Sequence, residues 1–79
     1  MKFSVTVTLK KDVLDPQGKV IQETLFNLGM NNLKTIRQGK YFEIEVDEID
    51  QVIAEKNIDE MCNKLLVNLI IEDYKINKL

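Results

Sequence analysis

Phe3-Ser4-Val5-Thr6-Val7-Thr8-Leu9-Lys10 alternates without a break. Phe3, Val5, Val7 and Leu9 fall on one side, and Ser4, Thr6, Thr8 and Lys10 on the other. This is the period-two mark of a half-buried strand, reinforced by β-branched residues. The second side carries hydroxyls, so it can face water or another subunit. Further along, Phe42, Ile44 and Val46 alternate with Glu43 and Glu45, and Tyr74 and Ile76 with Asp73 and Lys75. Each pattern predicts a strand with one buried face.

Between the strands the period changes. Asp15-Pro16-Gln17-Gly18 reads as a helix entry. The Asp15 carboxylate can accept from free N–H groups of the first turn, and Pro16 suits the first helical position. Ile21, Leu25 and Leu28 follow at helical spacing with Val20 and Thr24 beside them, and Gly29 predicts a left-handed cap. Phe26 lies off this stripe and is a candidate exposed aromatic contact. A second strand is expected at residues 33–37. It turns at Gln38-Gly39-Lys40 into the strand from Tyr41 to Val46, forming a β-hairpin. A second helix, entered near Asp47–Asp50, would turn Ala54, Ile58, Met61, Cys62, Leu65 and Leu66 inward, with Glu60 and Lys64 paired outside. Val52 and Ile53 fit that stripe poorly. The helix therefore starts late or begins with an exposed apolar patch. Residues 69–77 predict the last strand.

The order β-α-β-β-α-β predicts an α+β protein: an antiparallel four-stranded sheet with two helices on one face, close to the ferredoxin-like plait, in one domain over residues 1–79. With 79 residues, 44% of them apolar, a second core is excluded. A domain of this size hides only about 60–65% of its unfolded surface and normally depends on disulfides, a metal or a partner. One Cys and no His leave the partner. The lone Cys also fits a reducing, cytoplasmic compartment.

The longest apolar run, Leu65 to Ile71, is interrupted by Asn68 and is too short to span a bilayer. The alternating N-terminus does not resemble a signal peptide. A net charge of −2 offers no footprint for nucleic acid. The charge is unevenly spread, with seven cations and three anions in residues 1–40, and four and ten in residues 41–79. Net values of +4 and −6 fit either a recognition surface or two solvated faces.

Chemistry is sparse. No nucleophilic triad can be built without His, and Cys62 on the helical stripe behaves as a small hydrophobe. Asp12 and Asp15 are too thin a set for a hard cation, and Gly18 is one glycine where phosphate cradles use several. Arg37 and Lys40 would flank a basic hairpin tip, able to meet an acidic groove or simply to stay solvated.

Five blocks then stand in the order and spacing of a known family. They are Val13-Leu14-Asp15-Pro16-Gln17-Gly18, Leu28-Gly29, Arg37-Gln38-Gly39-Lys40, Cys62-Asn63-Lys64-Leu65-Leu66-Val67-Asn68 and Ile71-Glu72-Asp73-Tyr74. Together they resemble the PurS family, the small subunit of phosphoribosylformylglycinamidine (FGAM) synthase, across essentially the whole chain. The resemblance implies a PurS-like, dimerising fold and a non-catalytic subunit of an ATP- and glutamine-dependent ligase in purine biosynthesis. In that family PurL performs the amidation, PurQ is the glutaminase, and PurS docks the two and helps ammonia pass between them. It implies no cofactor on this chain, the complex using ATP, Mg and glutamine. It also implies a homodimer, with tetramers as an open extension. Partner-contact candidates carried over by position are Gln17, Arg37, Lys40, Asn68, Glu72 and Tyr74. Asp15, Pro16, Gly18, Gly29 and Gly39 take structural duties. Leu69 stands where the family usually has Pro, which leaves the local turn open. The alternative class is a small ferredoxin-like regulatory domain that binds a metabolite.

Overall fold

A computed structural model describes all 79 residues. The elements are β1 (Lys2–Leu9), α1 (Pro16–Asn27), β2 (Gly39–Glu45), α2 (Gln51–Met61) and β3 (Glu72–Lys78), with a single π-helical turn, Cys62–Leu66, closing α2. The strands form one antiparallel sheet in the order β2-β1-β3. The alternation of β1 sets its register. Val5 lies opposite Phe42 and Ile76, and Val7 opposite Lys40 and Tyr74. Phe3, Val5 and Val7 are fully buried on the face that α2 covers with Ala54, Ile58 and Cys62, and Val67 completes the core.

The expected fourth strand is absent. Residues 33–38 belong to no regular element and pair with no strand. Their polar backbone is held by side chains instead. Gln22 donates to the Lys34 carbonyl and accepts from the Ile36 N–H, and Asp15 accepts from the Gln38 N–H. Gly39 and Lys40 belong to β2 itself, so the Gln38–Lys40 hairpin is also corrected. Sequence patterning gave no weight to these distant side-chain acceptors.

The two-helix layer is corrected as well. Only α2 packs on the sheet, whereas α1 makes no more than marginal contact with any strand or with α2. The molecule measures 50 × 25 × 14 Å with a radius of gyration of 16.1 Å. A compact chain of this length would have about 12 Å. An eight-residue strand and a twelve-residue helix laid end to end span about 44 Å. Helix α1 therefore continues outward from the end of the sheet as an arm, and residues 30–38 return alongside it. Gly29, at φ 99°, makes the reversal.

Helix α2 starts at Gln51, where Asp50 accepts from Val52 and Ile53. Ile49, Val52 and Ile53 form the exposed patch at its beginning. The π turn, closed by the Val67 N–H on the Cys62 carbonyl at 3.0 Å, inserts one residue into the helical count. Leu66 turns inward while Leu65, expected inside, is exposed, and Met61 is also exposed.

The segment expected to begin the last strand at Leu69 is a turn. The Asn68 carbonyl accepts from Ile71 and Glu72, and its side chain accepts from Ile70. Leu69 sits at the second position of this turn, and its N–H bonds to no other group of the chain. Proline suits such a position, and Leu serves because no ladder donor is needed there. Leu69→Pro is expected to stabilise the protein by about 0.4–1 kcal/mol, through loss of unfolded-state freedom. A lower melting temperature for the variant would show that the turn requires a φ that proline cannot adopt.

Candidate docking site

The apolar face of the sheet changes character at one end. In the register of the ladders, Lys40 of β2 lies beside Val7, and Glu72 of β3 beside Leu9. Both point to the α2 side, and Lys40 Nζ stands 3.3 Å from a Glu72 carboxylate oxygen. The other Glu72 oxygen accepts from the Asn68 N–H at 2.8 Å. That hydrogen bond, and secondarily the Lys40 ammonium, holds the Glu72 carboxyl below its ordinary pKa.

Asp15 sits beside this pair and does more than cap. One carboxylate oxygen accepts from the Gly18 N–H at 3.0 Å, the other from the Gln38 N–H at 2.9 Å. The buried side chain thereby joins the start of α1 to the residue before β2. These bonds, the Gln38 one foremost, lower its pKa, with a further contribution from Arg37. Both carboxylates have folded pKa values below their unfolded ones. Their stabilisation is thus complete above the ordinary carboxylate range and lost as pH falls through the depressed values.

Arg37 is not on a hairpin tip. Its guanidinium donates to the carbonyls of Lys10, Lys11 and Val13 at 2.9–3.3 Å, closing the base of the arm. Gln17 accepts from the Gln38 side chain. Asp15, Pro16, Gln17, Gln38, Gly39, Lys40 and Glu72 line one open pocket of about 430 Å³. Five of the residues singled out from sequence alone thus converge with Glu72, although residues 15–17, 39–40 and 72 are far apart in the chain. Asn68 adjoins through Glu72.

Tyr74 is the outlier. Two residues along β3, its hydroxyl donates to Asp59 of α2, and this bond, with burial, raises the phenol pKa. Burial pushes the Cys62 thiol up as well, with Asp59 adding to the effect, consistent with an inert core cysteine. Gln38, Gln22 and Asp59 were missed by the sequence reading. Gln38 stood inside a quoted block, but a turn assignment hid its role.

No group of three or more His, Cys, Asp or Glu side chains could hold a metal ion, and no helix is long and apolar enough to cross a membrane. The site offers hydrogen-bonding and charged groups around one open pocket.

The model of the PurS family, phosphoribosylformylglycinamidine (FGAM) synthase, matches residues 2–79. The chain belongs to the PurS family. The PurS subunit of FGAM synthase from Bacillus subtilis is 42% identical over 74 residues, covering 94% of this chain and 87% of that protein. The crystal structure of Methanocaldococcus jannaschii PurS superposes with a TM-score of 0.87 at 41% identity, covering 96% of this chain and 92% of that one. A chain of the PurLQS structure from Thermotoga maritima gives a TM-score of 0.91 at 31% identity, covering 99% and 95%. The overall fold is thus shared with solved PurS chains. As a PurS subunit of FGAM synthase, the protein serves purine biosynthesis.

Proposed function

We propose that this chain is the adaptor of the synthase, docking the glutaminase PurQ onto the synthetase PurL and assisting the transfer of ammonia between them. The observation that carries the reading is the match, over nearly the full length of both chains, to a subunit of an assembled PurLQS complex. Ammonia released into water at neutral pH is largely protonated and loses its nucleophilic lone pair, so a subunit that seals the passage has a clear chemical use. The chain binds no cofactor itself, and ATP, Mg and glutamine are handled by the larger subunits. The protein works in the cytoplasm, where its single thiol stays reduced. Gln17, Arg37, Lys40, Asn68, Glu72 and Tyr74 contribute the polar contacts, with Gln17, Lys40 and Glu72 at their centre and Arg37 acting mainly by holding the arm.

The working unit is a homodimer at least. Only 10 of 79 residues are buried, while large apolar side chains such as Leu14, Leu28, Leu65 and Ile70 are mostly exposed. A single copy therefore leaves more apolar surface in water than a stable monomer tolerates.

Mixing the protein with PurL and PurQ, with glutamine and Mg-ADP present, is expected to give a ternary complex on size exclusion. Failure to join or promote one overturns the adaptor reading. Lys40→Glu, which sets a like charge against Glu72, is expected to weaken that complex about tenfold, equivalent to about 1.4 kcal/mol. Unchanged assembly and synthase activity in a folded Lys40→Glu variant would remove this end of the sheet from the docking surface.

A further inference from the structure

We propose that the free edge of β3 receives an extended segment of one of the two larger synthase subunits. The segment adds to the sheet as a further strand and seats an apolar side chain between β3 and α2. The proposal rests on the adaptor reading above and names the surface and the chemistry by which one partner is held.

The backbone of β3 is paired on one side only. The Leu79 N–H bonds to the Lys2 carbonyl, and the Lys10 N–H to the Ile71 carbonyl. In an antiparallel ladder of this register, Ile71, Asp73, Lys75, Asn77 and Leu79 therefore turn their N–H and C=O groups to β1. Those of Tyr74, Ile76 and Lys78 point out from the sheet, and no group of the chain meets them. Natural sheet edges are normally closed by proline, a bulge, a very short strand or a covering loop. Strand β3 has none of these. It runs seven residues without proline, its register is unbroken, and no strand lies beyond it. Such an edge takes an added strand through main-chain hydrogen bonds, and pockets for alternate side chains choose the partner.

An incoming strand lies about 4.8 Å beyond β3, under the adjoining flank of α2. There Val52, Glu55, Lys56, Asp59 and Ile76 line an open cleft of about 400 Å³. Ile76 forms its wall on the sheet, and Val52, 74% exposed, its wall on the helix. The partner residue opposite Ile76 is thus apolar. Charge sets that residue's neighbours. Glu55 and Asp59 make no ion pair, since the two ion pairs of the chain are Lys40–Glu72 and Lys64–Glu60. Residues two places along a strand face the same way, so a Lys or Arg at that spacing meets these carboxylates. The occupant is an extended segment with a cation two residues from an apolar side chain.

The chain supplies no such strand to itself. Its unpaired residues 33–38 are tied to the arm by Gln22 and Asp15. A second copy seated along β2 leaves this edge free, because β2 and β3 lie on opposite sides of β1.

Cys62 allows the edge to be tested through one N–H group. Native chemical ligation at Cys62 joins residues 1–61 to a synthetic 62–79 segment in which the Ile76 backbone nitrogen is methylated. The outward N–H is lost and every side chain is kept. Val52→Lys is the second variant and places a cation on the exposed wall of the cleft. Circular dichroism and sedimentation of both are expected to match the unaltered protein. The ternary complex with PurL and PurQ is expected to weaken at least about tenfold in each, read by titration on size exclusion.

A ternary complex unaffected by methylation overturns strand addition, whatever Val52→Lys does, and leaves the adaptor reading standing. A complex unaffected by Val52→Lys overturns the seating in the cleft. No ternary complex from the unaltered protein overturns the adaptor reading itself, and this proposal with it. If methylation lowers the oligomeric state and leaves the ternary complex unchanged, the edge serves a second copy and the proposal fails.

Discussion

Ile58→Ala is expected to abolish most of the stability of this protein. Ile58 is fully buried and packs with Phe3, Val5 and Val7 beneath α2, in a core of only seven residues. Truncating a buried Ile to Ala costs about 2–5 kcal/mol, from lost transfer free energy and the cavity left behind. Small domains hold about 5 kcal/mol or little more in total, so the variant should be largely unfolded at 37 °C. Ile53→Ala, five residues earlier on the same helix but 48% exposed, should stay within about 0.5 kcal/mol of the parent. Urea unfolding followed by circular dichroism measures both. A loss below about 1 kcal/mol for Ile58→Ala would mean that the core lies elsewhere.

Gly18→Ala is expected to destabilise, against the usual ranking of helix formers. Ala in place of Gly inside a helix is normally worth about 1 kcal/mol in favour of the helix. Here a methyl group at Gly18 would run into the Asp15 carboxylate and meet the Ile36 carbonyl at 3.0 Å. The carboxylate cannot move aside without releasing the Gly18 and Gln38 N–H groups, and the carbonyl belongs to the backbone of the return limb. Overpacking of this kind costs about 1–3 kcal/mol, which outweighs the propensity gain. The damage should centre on the arm, seen as faster amide exchange at Gln38 with the β1 amides little changed. A raised melting temperature for Gly18→Ala would show that the return limb does not press on the start of α1.

The two predictions differ in how far sequence could reach them. Burial of Ile58, Cys62 and Ala54 follows from a 3.6-residue stripe, and burial of Phe3, Val5 and Val7 from strict alternation. Both are local signals, and both were legible. The Asp15 cap, Pro16 at the first helical position and the left-handed Gly29 were legible for the same reason, since each concerns the backbone within one turn. The family blocks also held most of the residues that line the pocket between Asp15 and Glu72, because they mark residues whatever their structural setting.

Residues 33–37 show where local signals fail. A β-prone segment can lie in a sheet or satisfy its backbone otherwise, and the choice here belongs to Gln22 and Asp15, 12 to 23 residues away. The stripe of α1 fails in a different way. Ile21, Leu25 and Leu28 predict a helix with one apolar face, and the helix is there, yet nothing in the periodicity says which molecule that face should meet. The one-residue insertion of the π turn is likewise invisible to pattern, and it decides that Leu65 points outward and Leu66 inward.

Local sequence alone, then, specified three of the strands, both helices with their caps and the buried stripes of β1 and α2, and its motif blocks marked the family. It did so because those properties rest on neighbours in the chain or on residue types. Tertiary structure alone decided that α1 stands away from the sheet, that Arg37 closes the base of the arm, and that Lys40 and Glu72 meet across β1. Those outcomes depend on contacts between distant segments, where one carboxylate at Asp15, by taking the Gln38 N–H, selects an arm over a fourth strand.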